Sequence, residues 1–406
     1  MTTPSFSETW PVYLRIGLLS FGGPAGQIAL MQDEITDRRG WVSSEAFQRG
    51  LSVAMILPGP EAQQLATWLG WRLHGLKGAL AAGLAFILPG AVLMIALAWI
   101  AAAYGDTPLI SALFYGIQPA VLVIVAKALW GLAGRSLKTP MAWGLAGAAF
   151  LGIWALGLPF PLIIALAALV GLLLPGEVSP GTPVGKVGLS PALWALSLGL
   201  ALILAVVAVV EVITQDAVFR EVATLFTTAA FVSFGGAYAL LPYVADRAVE
   251  TYGWLSAEQM LNGLALAEST PGPLILVNVY AGFFAGWPSG GWAGVATAAL
   301  ACFYTFAPSF MLILAAAPYV DALQSVPRVR KALAGVSAAV VGVVLNLGVY
   351  LGEAALFPMG LAAPDFGKIA LLVAFALLAW LRPIPMIWLV ALGAACGIFL
   401  WLTGLV

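Results

Sequence analysis

Residues 20–60 read SFGGPAGQIALMQDEITDRRGWVSSEAFQRGLSVAMILPGP, and residues 233–273 read SFGGAYALLPYVADRAVETYGWLSAEQMLNGLALAESTPGP. The second stretch begins 213 positions after the first, and 15 of the 41 positions are identical. Both copies begin with Ser-Phe-Gly-Gly and end with Pro-Gly-Pro. The offset then becomes 219, as for Gly116 and Gly335, because six residues are inserted near Trp287 to Gly291. The chain is therefore a tandem duplication.

The composition is that of a polytopic membrane protein. The 406 residues are 62% hydrophobic and 9% charged, with a mean hydropathy of +1.02, whereas soluble domains have about 25% charged residues. Apolar runs of roughly 20 residues, enough to cross a hydrocarbon core of ~30 Å, fill nearly the whole length and leave no room for a soluble domain. The first run lacks a basic flank and a cleavage site, which favours a retained helix over a signal peptide.

The apolar runs predict an all-α protein with about thirteen spans, made of two six-helix repeats and one linking helix. The spans are Trp10–Met31, Gly50–Trp71, Gly78–Tyr104, Leu109–Leu132, Met141–Leu156, Pro159–Leu174, the unmatched Ala192–Val210, Glu221–Ala245, Gly263–Gly286, Trp292–Ala317, Ala332–Leu351, Lys368–Leu381 and Pro385–Leu402. This gives an N-terminal transport repeat (1–175), a linker with its connecting helix (176–213) and a C-terminal repeat (214–406). If the Pro-Gly-Pro segments are re-entrant in both halves, each half has five crossings instead.

An even-numbered repeat followed by one extra crossing starts its second copy from the opposite side of the membrane. We therefore expect inverted repeats, as in many secondary transporters. Lys and Arg collect in cytoplasmic loops, and in this arrangement ten lie on the side of the N-terminus and five on the other, with Arg15 and Lys127 inside spans. This predicts a cytoplasmic N-terminus and a C-terminus on the other side.

The repeated motifs are the strongest pointer to a site. Proline removes a backbone donor and glycine admits unusual conformations, so each Pro-Gly-Pro interrupts a helix. Matched interruptions in two repeats indicate binding near the membrane midplane, and a helix that begins after the break offers free N–H groups to an anion. The alternative is a kink or small-residue packing seam; repetition of both motifs at one spacing favours a site.

The predicted substrate-binding residues come from these motifs and the polar side chains beside them. They are Phe21, Gly22, Gly23, Pro24, Pro58, Gly59, Pro60, Glu61, Gln63, Gln64, Lys127, Phe234, Gly235, Gly236, Glu268, Pro271, Gly272, Pro273 and Asn278. Glu61 and Glu268 are open to two interpretations: carboxyls that donate a hydrogen bond or carry coupling protons when protonated, or caps of broken helix ends. Lys127 either attracts the anion or snorkels to the boundary.

Other polar residues are expected to have structural roles outside the site. Arg15 is expected to snorkel, and His74 to be a solvated loop residue in preference to a proton relay. The segments Asp33–Glu45 and Asp246–Glu258 are expected to be solvated or interfacial helices. Cys302 and Cys396 lack metal spacing and suit buried small hydrophobes. We expect no metal and no cofactor.

The motifs FGGP at 21–24, RRGW at 38–41, LPGPEAQQLAT at 57–67 and GWRLHG at 70–75 resemble the chromate ion transporter family in its long, two-domain form. The resemblance extends over both halves. It implies a bacterial inner-membrane protein that exports chromate and so confers resistance, halves of opposite orientation, and sulfate as a similar oxyanion. Gln27 stands where many relatives carry histidine, and Ala237 replaces the proline of the first copy, which leaves substrate preference open.

We therefore expect a secondary transporter whose halves rock around a shared oxyanion site. Moving one charge across the membrane is worth about 2.3 kcal/mol per 100 mV, so an inside-negative potential favours exit of a dianion by roughly 4.6 kcal/mol per 100 mV. Alternatives are a passive anion channel and a sulfate transporter. A metal-dependent membrane enzyme is discounted because the chain lacks Asp-rich or His-rich clusters. The expected partners are the oxyanion and membrane lipid, a homodimer is allowed, and nucleic acid is not expected.

Overall fold

The computed structural model describes residues 4–21, 23–173, 189–234, 237–320, 327–360, 362–382 and 384–405, with the side chains of 237 and 327–330 left out. All regular structure within these ranges is helical. The helices before residue 173 are α1 (Phe6–Leu19), α2 (Gly23–Met31), a π-helical turn (Gln32–Asp37), α3 (Ser44–Ala54), α4 (Glu61–Tyr104), α5 (Pro108–Ser136), α6 (Pro140–Trp154) and α7 (Phe160–Leu172).

The second half repeats this order. After α8 (Ser190–Thr214), which has no counterpart, come α9 (Ala217–Val232), α10 (Ala237–Ala245), a π-helical turn (Asp246–Thr251), α11 (Ala257–Ser269), a 3-10 turn (Leu274–Leu276), α12 (Val277–Gly286), a 3-10 turn (Trp287–Ser289), α13 (Gly291–Ala316), a 3-10 turn (Ala317–Tyr319), α14 (Pro327–Leu356), α15 (Phe366–Leu381) and α16 (Met386–Leu402). Even the π-helical turns correspond, since one begins at Gln32, directly before the repeated Asp33, and the other begins at its counterpart Asp246.

Five helical segments in the described ranges are long and apolar enough to cross a membrane: Glu61–Tyr104, Pro108–Ser136, Ser190–Thr214, Gly291–Tyr319 and Lys331–Leu356. Five shorter segments are also apolar: Pro140–Trp154, Phe160–Leu172, Leu274–Ser289, Phe366–Leu381 and Met386–Leu402. The all-helical class and the membrane composition predicted from sequence are thus confirmed.

Four of the predicted spans are each two helices instead of one. Trp10–Met31 is divided between α1 and α2, and Glu221–Ala245 between α9 and α10; Gly50–Trp71 and Gly263–Gly286 are each interrupted at Pro-Gly-Pro. The first break leaves Gly23 at a φ of 72°, a left-handed conformation that glycine reaches without strain. Hydropathy does not detect these breaks because the residues around them remain apolar.

The chain reverses direction at the Ser-Phe-Gly breaks. In one continuous helix, Arg15 and Glu34 would lie about 28 Å apart at 1.5 Å per residue. Instead Arg15 Nε lies 3.6 Å from Glu34 Oε1, so α2 and its π-helical turn fold back along α1. In the second half the rings of Phe226 and Trp254 lie with centroids 6.2 Å apart, which requires the same reversal between α9 and α10.

The Pro-Gly-Pro breaks are also reversals. Gly50 of α3 packs against Trp68 of α4, where an added Cβ would lie 2.2 Å from the indole. Gly263 of α11 packs likewise on the Tyr280 ring of α12, at 2.4 Å. Each half therefore contains two helical hairpins, one with Ser-Phe-Gly at its tip and one with Pro-Gly-Pro.

A further reversal divides α4. His74 and Gly75 have non-helical dihedral angles, and a Cβ at Gly70 would lie 2.2 Å from the carbonyl oxygen of Gly78, although these residues would be about 12 Å apart in a continuous helix. The turn at Trp287–Ser289 separates α12 from α13 in the same way, with Gly286 against Ala293. The predicted insertion therefore lengthens a connection that the first half makes through His74.

A long helix of each half packs through glycine against a shorter helix of the other half. Gly116 of α5 approaches Gly393 and Gly397 of α16, where an added Cβ would lie 2.0 Å from the Gly393 oxygen. Its repeat partner Gly335 of α14 approaches Gly171 and Ala167 of α7, at 2.2 Å from the Ala167 oxygen. Small residues allow this close approach of membrane helices, and the exchange of equivalent elements is what a local two-fold relation produces.

Candidate functional site

Each Pro-Gly-Pro tip meets the Ser-Phe-Gly tip of the other half. The Gly59 N–H donates to the Ser233 carbonyl at 2.8 Å, and the Gly272 N–H donates to the Ser20 carbonyl at 3.0 Å. We refer to these contacts as the Gly59 crossing and the Gly272 crossing. Because Gly59 and Gly272 are equivalent, as are Ser20 and Ser233, the two hydrogen bonds are one contact made twice with the halves exchanged. The tips thus interlock between halves.

Glycine is required at both crossings. Gly59 has a φ of 123° and Gly272 a φ of 97°, conformations that other residues adopt only with strain. A Cβ at Gly59 would lie 2.9 Å from the Ser309 hydroxyl, and one at Gly272 would lie 3.3 Å from the Phe86 oxygen. Both tips are therefore held against α13 and α4, the long helices of the opposite half.

Helix N-termini gather at each crossing. At the Gly59 crossing α4 begins at Glu61 and α10 at Ala237, and at the Gly272 crossing α2 begins at Gly23 while the turn into α12 begins at Leu274. The first N–H groups of a helix lack partners within it and carry a partial positive charge of about +0.5. Two such ends at one place form a favourable environment for an anion.

Buried glutamines make hydrogen bonds at both crossings. Gln64 Nε2 donates to the Pro58 carbonyl at 2.7 Å, and Gln27 Nε2 donates to the Gly272 carbonyl at 2.7 Å. Gln63 accepts a hydrogen bond of 2.6 Å from Ser309 and donates to Thr67 at 2.8 Å. Gln63 and Gln64 lie among the residues predicted from sequence, and the structure brings both to the Gly59 crossing.

Sequence analysis did not select Ser20, Gln27, Ser233 or Ser309. Ser20 and Ser233 open the repeated motif, so the repeat itself carried a signal for them. Ser309 follows Pro308, the repeat partner of Pro89, which also marked its position. Gln27 has no such signal, because its counterpart in the second copy is Leu240; only the fold shows its bond to Gly272.

The two candidate carboxyls occupy different surroundings. Glu61 is the first residue of α4 and is partly exposed. The residue at the N-cap position is Pro60, whose side chain has no group that could cap the helix. Glu268 is 4% exposed in the last turn of α11 and accepts a hydrogen bond from the Tyr238 hydroxyl of α10. Glu268 therefore joins the two second-half hairpins.

The other predicted residues are distributed around this region. Asn278 is fully buried and donates to Thr305 at 3.1 Å. Lys127 of α5 donates to the Ala379 carbonyl of α15 at 3.0 Å. This contact places it between α5 and α15 and not at either crossing. Phe21, Pro24, Pro58, Pro60, Pro271, Pro273 and Phe234 flank the tips, while Gly22, Gly235 and Gly236 lie outside the described residues.

A buried lysine joins the second Pro-Gly-Pro hairpin to helices α5 and α15. Lys368 of α15 is 4% exposed, and its Nζ donates to Gln118 Oε1 of α5 at 2.7 Å and lies 3.6 Å from Glu258 Oε1 of α11. Gln118 Nε2 completes the cluster by donating to Glu258 at 3.0 Å and to Asn262 at 2.9 Å. We call these four residues the latch, because they tie α11 to helices of both halves.

The first half has a different arrangement at the equivalent positions. Glu45, the counterpart of Glu258, has a 90% exposed side chain and lies 3.9 Å from Arg49 in its own helix. Arg49 occupies the position of Asn262, and Ser337 that of Gln118. The two halves are thus alike in their elements but differ in how the Pro-Gly-Pro hairpin is anchored.

A cavity of about 650 Å³ opens beside the latch. It is bounded by the end of α4, the start of α5, the start of α11 and the end of α12. Glu258 and Asn262 of the latch line it, together with Tyr115 and Tyr280. Asn262 is the last α11 residue on its wall, and beyond it α11 continues, buried, to the Gly272 crossing.

The structure adds to one expectation from the sequence and corrects another. Arg15 pairs with Glu34, which is 1% exposed and also accepts from Arg38 and Arg39. The segment after α2 is therefore anchored through a buried carboxylate. His74 is not a solvated loop residue, since its Nε2 lies 3.0 Å from the Thr9 hydroxyl and its ring packs edge-on against Phe6.

The profile of the chromate transporters matches residues 8–172 and 220–398, which are the two repeats. The chain belongs to the chromate transporter family. It is 31% identical to a probable chromate transport protein of Synechococcus elongatus, over 98% of this chain and 96% of that protein. It is 32% identical to a chromate transport protein of Pseudomonas aeruginosa (84% and 79% covered) and 26% identical to one of Cupriavidus metallidurans (89% and 86%). No solved structure matches the chain.

Membership of the chromate transporter family confirms the resemblance found in the motifs and supports chromate transport by a multi-pass membrane protein. The matched relatives are named as transport proteins and not as enzymes. The unmatched segment between the two matched ranges contains the linker and α8, the part that has no counterpart in the repeat.

Proposed function

We propose that the protein is a secondary transporter that carries chromate across the bacterial inner membrane, normally outward. The observation that supports this best is the reciprocal pair of hydrogen bonds at the Gly59 and Gly272 crossings. An oxyanion must exchange its hydration shell for protein donors, because burial of unpaired polar groups is costly. The helix N-termini at the crossings supply such donors from both halves.

We further propose that all four hairpins are re-entrant. The second part of α4, α5, α6 and α7 then give four crossings in the first half, α8 gives one, and α13 to α16 give four in the second half. This replaces the thirteen spans with nine crossings and four hairpins. The halves remain inverted, because an even number of crossings plus α8 starts the second copy from the opposite side.

Positive charges support the re-entrant arrangement. It places Arg38, Arg39, Arg49, Arg72, Lys77, Arg135, Lys138, Lys186, Arg328, Arg330, Lys331 and Arg382 on the side of the N-terminus and Arg220, Arg247 and Lys368 on the other. Lys186 lies outside the described residues and is assigned from its position in the sequence between α7 and α8. Twelve against three is a stronger bias than the ten against five of thirteen spans. Lys and Arg accumulate in the cytoplasm, so the N-terminus is cytoplasmic and the C-terminus periplasmic.

In this arrangement the latch is a periplasmic gate. It holds α11 against α5 and α15 at the inner end of the 650 Å³ cavity, whereas Glu45 on the cytoplasmic side is exposed. A transporter with inverted halves changes the side of access when the two halves exchange their conformations. We therefore propose that the form with an intact latch is closed toward the periplasm.

The membrane potential determines in which direction an anion crosses with a gain in free energy. Each charge moved is worth about 2.3 kcal/mol per 100 mV, so exit of an anion from a negative interior needs no coupled ion. The reciprocal crossings and the asymmetric latch favour a carrier over the second candidate, a passive anion channel, because a channel needs no gate that differs between equivalent halves. Sulfate, a chemically similar oxyanion, is the alternative substrate against which chromate is tested.

The deciding experiment is counterflow in proteoliposomes that contain the purified full-length chain. Chromate loaded inside should accelerate uptake of labelled chromate from outside, and the rate should saturate, because a carrier must reorient between sides. Sulfate added outside measures competition. A flux that never saturates and shows no acceleration would establish a channel, and no chromate flux at all would refute the proposed function.

A further inference from the structure

The crossings contain buried acceptor atoms without donors. Gln64 Oε1 and Gln27 Oε1 find no hydrogen-bond partner among the described residues, although the side chains are 0% and 1% exposed. The amide orientation is fixed in both cases, because each Nε2 donates to a backbone carbonyl, Pro58 for Gln64 and Gly272 for Gln27. The Oε1 atoms must therefore face away from those carbonyls.

The same pattern occurs at both crossings. The Gly59 crossing has the acceptor of Gln64, and the Gly272 crossing that of Gln27, although the two glutamines are not repeat partners. The Ser233 hydroxyl at the Gly59 crossing is also buried and has no hydrogen-bond partner in the described part of the chain. A buried acceptor that stays unpaired is costly because it has lost its water without gaining a donor. Two such acceptors, fixed at two equivalent places, therefore indicate a ligand that brings donors.

A fully ionised tetrahedral oxyanion offers acceptors only, and a buried amide oxygen would repel it. A singly protonated oxyanion offers both kinds of group. Its anionic oxygens can accept from the helix N-termini and the Ser233 hydroxyl, while its O–H can donate to the glutamine oxygen. The donor and acceptor groups of each crossing therefore match the protonated form better than the dianion.

We propose that the crossings select singly protonated tetrahedral oxyanions through the Oε1 atoms of Gln27 and Gln64. This inference rests on the proposed function and specifies its substrate class. Hydrogen chromate loses its proton near neutral pH, whereas hydrogen sulfate and hydrogen selenate do so only in strong acid. The crossings thus accept chromate and discriminate against sulfate by the proton, since size and shape are similar.

The test is the number of protons taken up on binding. Purified protein in detergent is titrated with chromate at a pH where free chromate is the dianion, in buffers of different ionisation enthalpy, and the proton count follows from the difference in heat. We expect about one proton taken up per oxyanion bound, and no binding of selenate in the same range. Glu268→Gln should retain the proton uptake, because the ligand carries the proton.

Gln27→Leu and Gln64→Leu remove the acceptors and should bring the proton count toward zero. The wild-type titration decides even if these variants do not fold. Chromate binding without proton uptake, or selenate binding as tight as that of chromate, would show that water satisfies the glutamines and that the dianion is bound, which overturns the inference. If no chromate binds between about one pH unit below neutral and about two units above it, the result would instead count against the proposed function.

Discussion

Lys368 Nζ donates a hydrogen bond to Gln118 Oε1 at 2.7 Å, although the lysine lies on α15 of the second half and the glutamine on α5 of the first. Few charged groups are buried in proteins unless they are paired, and this one is 4% exposed. Its partner Glu258 belongs to the hairpin that leads to Gly272. The contact thus joins three elements that must separate if the hairpin moves.

Loss of this lysine should release the hairpin. In Lys368→Met the buried charge and its bond are gone, so a cysteine placed at Ala265, which is 0% exposed on α11, should react with a membrane-impermeant thiol reagent from the periplasm at least tenfold faster than in the parent, a change of about 1.4 kcal/mol in opening.

The matched control for the latch is Lys127→Met, which removes a lysine that donates to the Ala379 carbonyl between scaffold helices. It should leave Ala265→Cys protected. A cysteine at Gln259, on the cavity wall, should be labelled in all variants. Equal labelling of Ala265→Cys with and without Lys368 would reject the gate.

Gly59→Ala should reduce chromate transport at least tenfold. The substitution adds backbone strain of about 1 to 3 kcal/mol at a φ of 123°. It also places a methyl group 2.9 Å from the Ser309 hydroxyl, which pushes the two tips of the Gly59 crossing apart. Gly40→Ala is the control, because Gly40 also has a positive φ, 60°, but no atom within 4 Å of the added methyl. Transport is measured in vesicles at equal protein content, and equal activity of both variants would contradict the crossing as the site.

Ser44 and Ala257 occupy equivalent ends of α3 and α11 within the repeat. In the re-entrant arrangement, a cysteine at Ser44 should be labelled from the cytoplasm and one at Ala257 from the periplasm. The thirteen-span arrangement predicts the reverse sides for the same two positions. Labelling from one common side would refute inverted halves altogether, so this pair of variants separates three topologies.

The pH dependence of transport should belong to the oxyanion and not to Glu61 or Glu268. The rate at fixed total chromate should fall about tenfold for each pH unit above the pH at which hydrogen chromate ionises, because the transported form becomes scarce. The double variant Glu61→Gln/Glu268→Gln should keep the midpoint of this profile, even where the rate falls. A flat pH profile in the double variant would show that the carboxyls, and not the oxyanion, cause the pH dependence of transport.

The sequence alone determined the membrane class, the duplication and the family, because these depend on composition and on residues spaced at one constant offset. It also selected Gly59, Gly272, Gln63 and Gln64, since motif chemistry marks broken helices and the polar groups beside them. These features are local, and each can be read from a short segment.

Only the tertiary structure decided how the breaks are used. Hydropathy reads α1 and α2 as one span because a reversal of direction leaves the apolar run unchanged; the contact of Arg15 with Glu34 reveals the hairpin. The pairing of Gly59 with Ser233, the bond from Gln27 to Gly272 and the latch around Lys368 join residues far apart in the chain. Such contacts depend on the packing of one half against the other, which no single segment encodes.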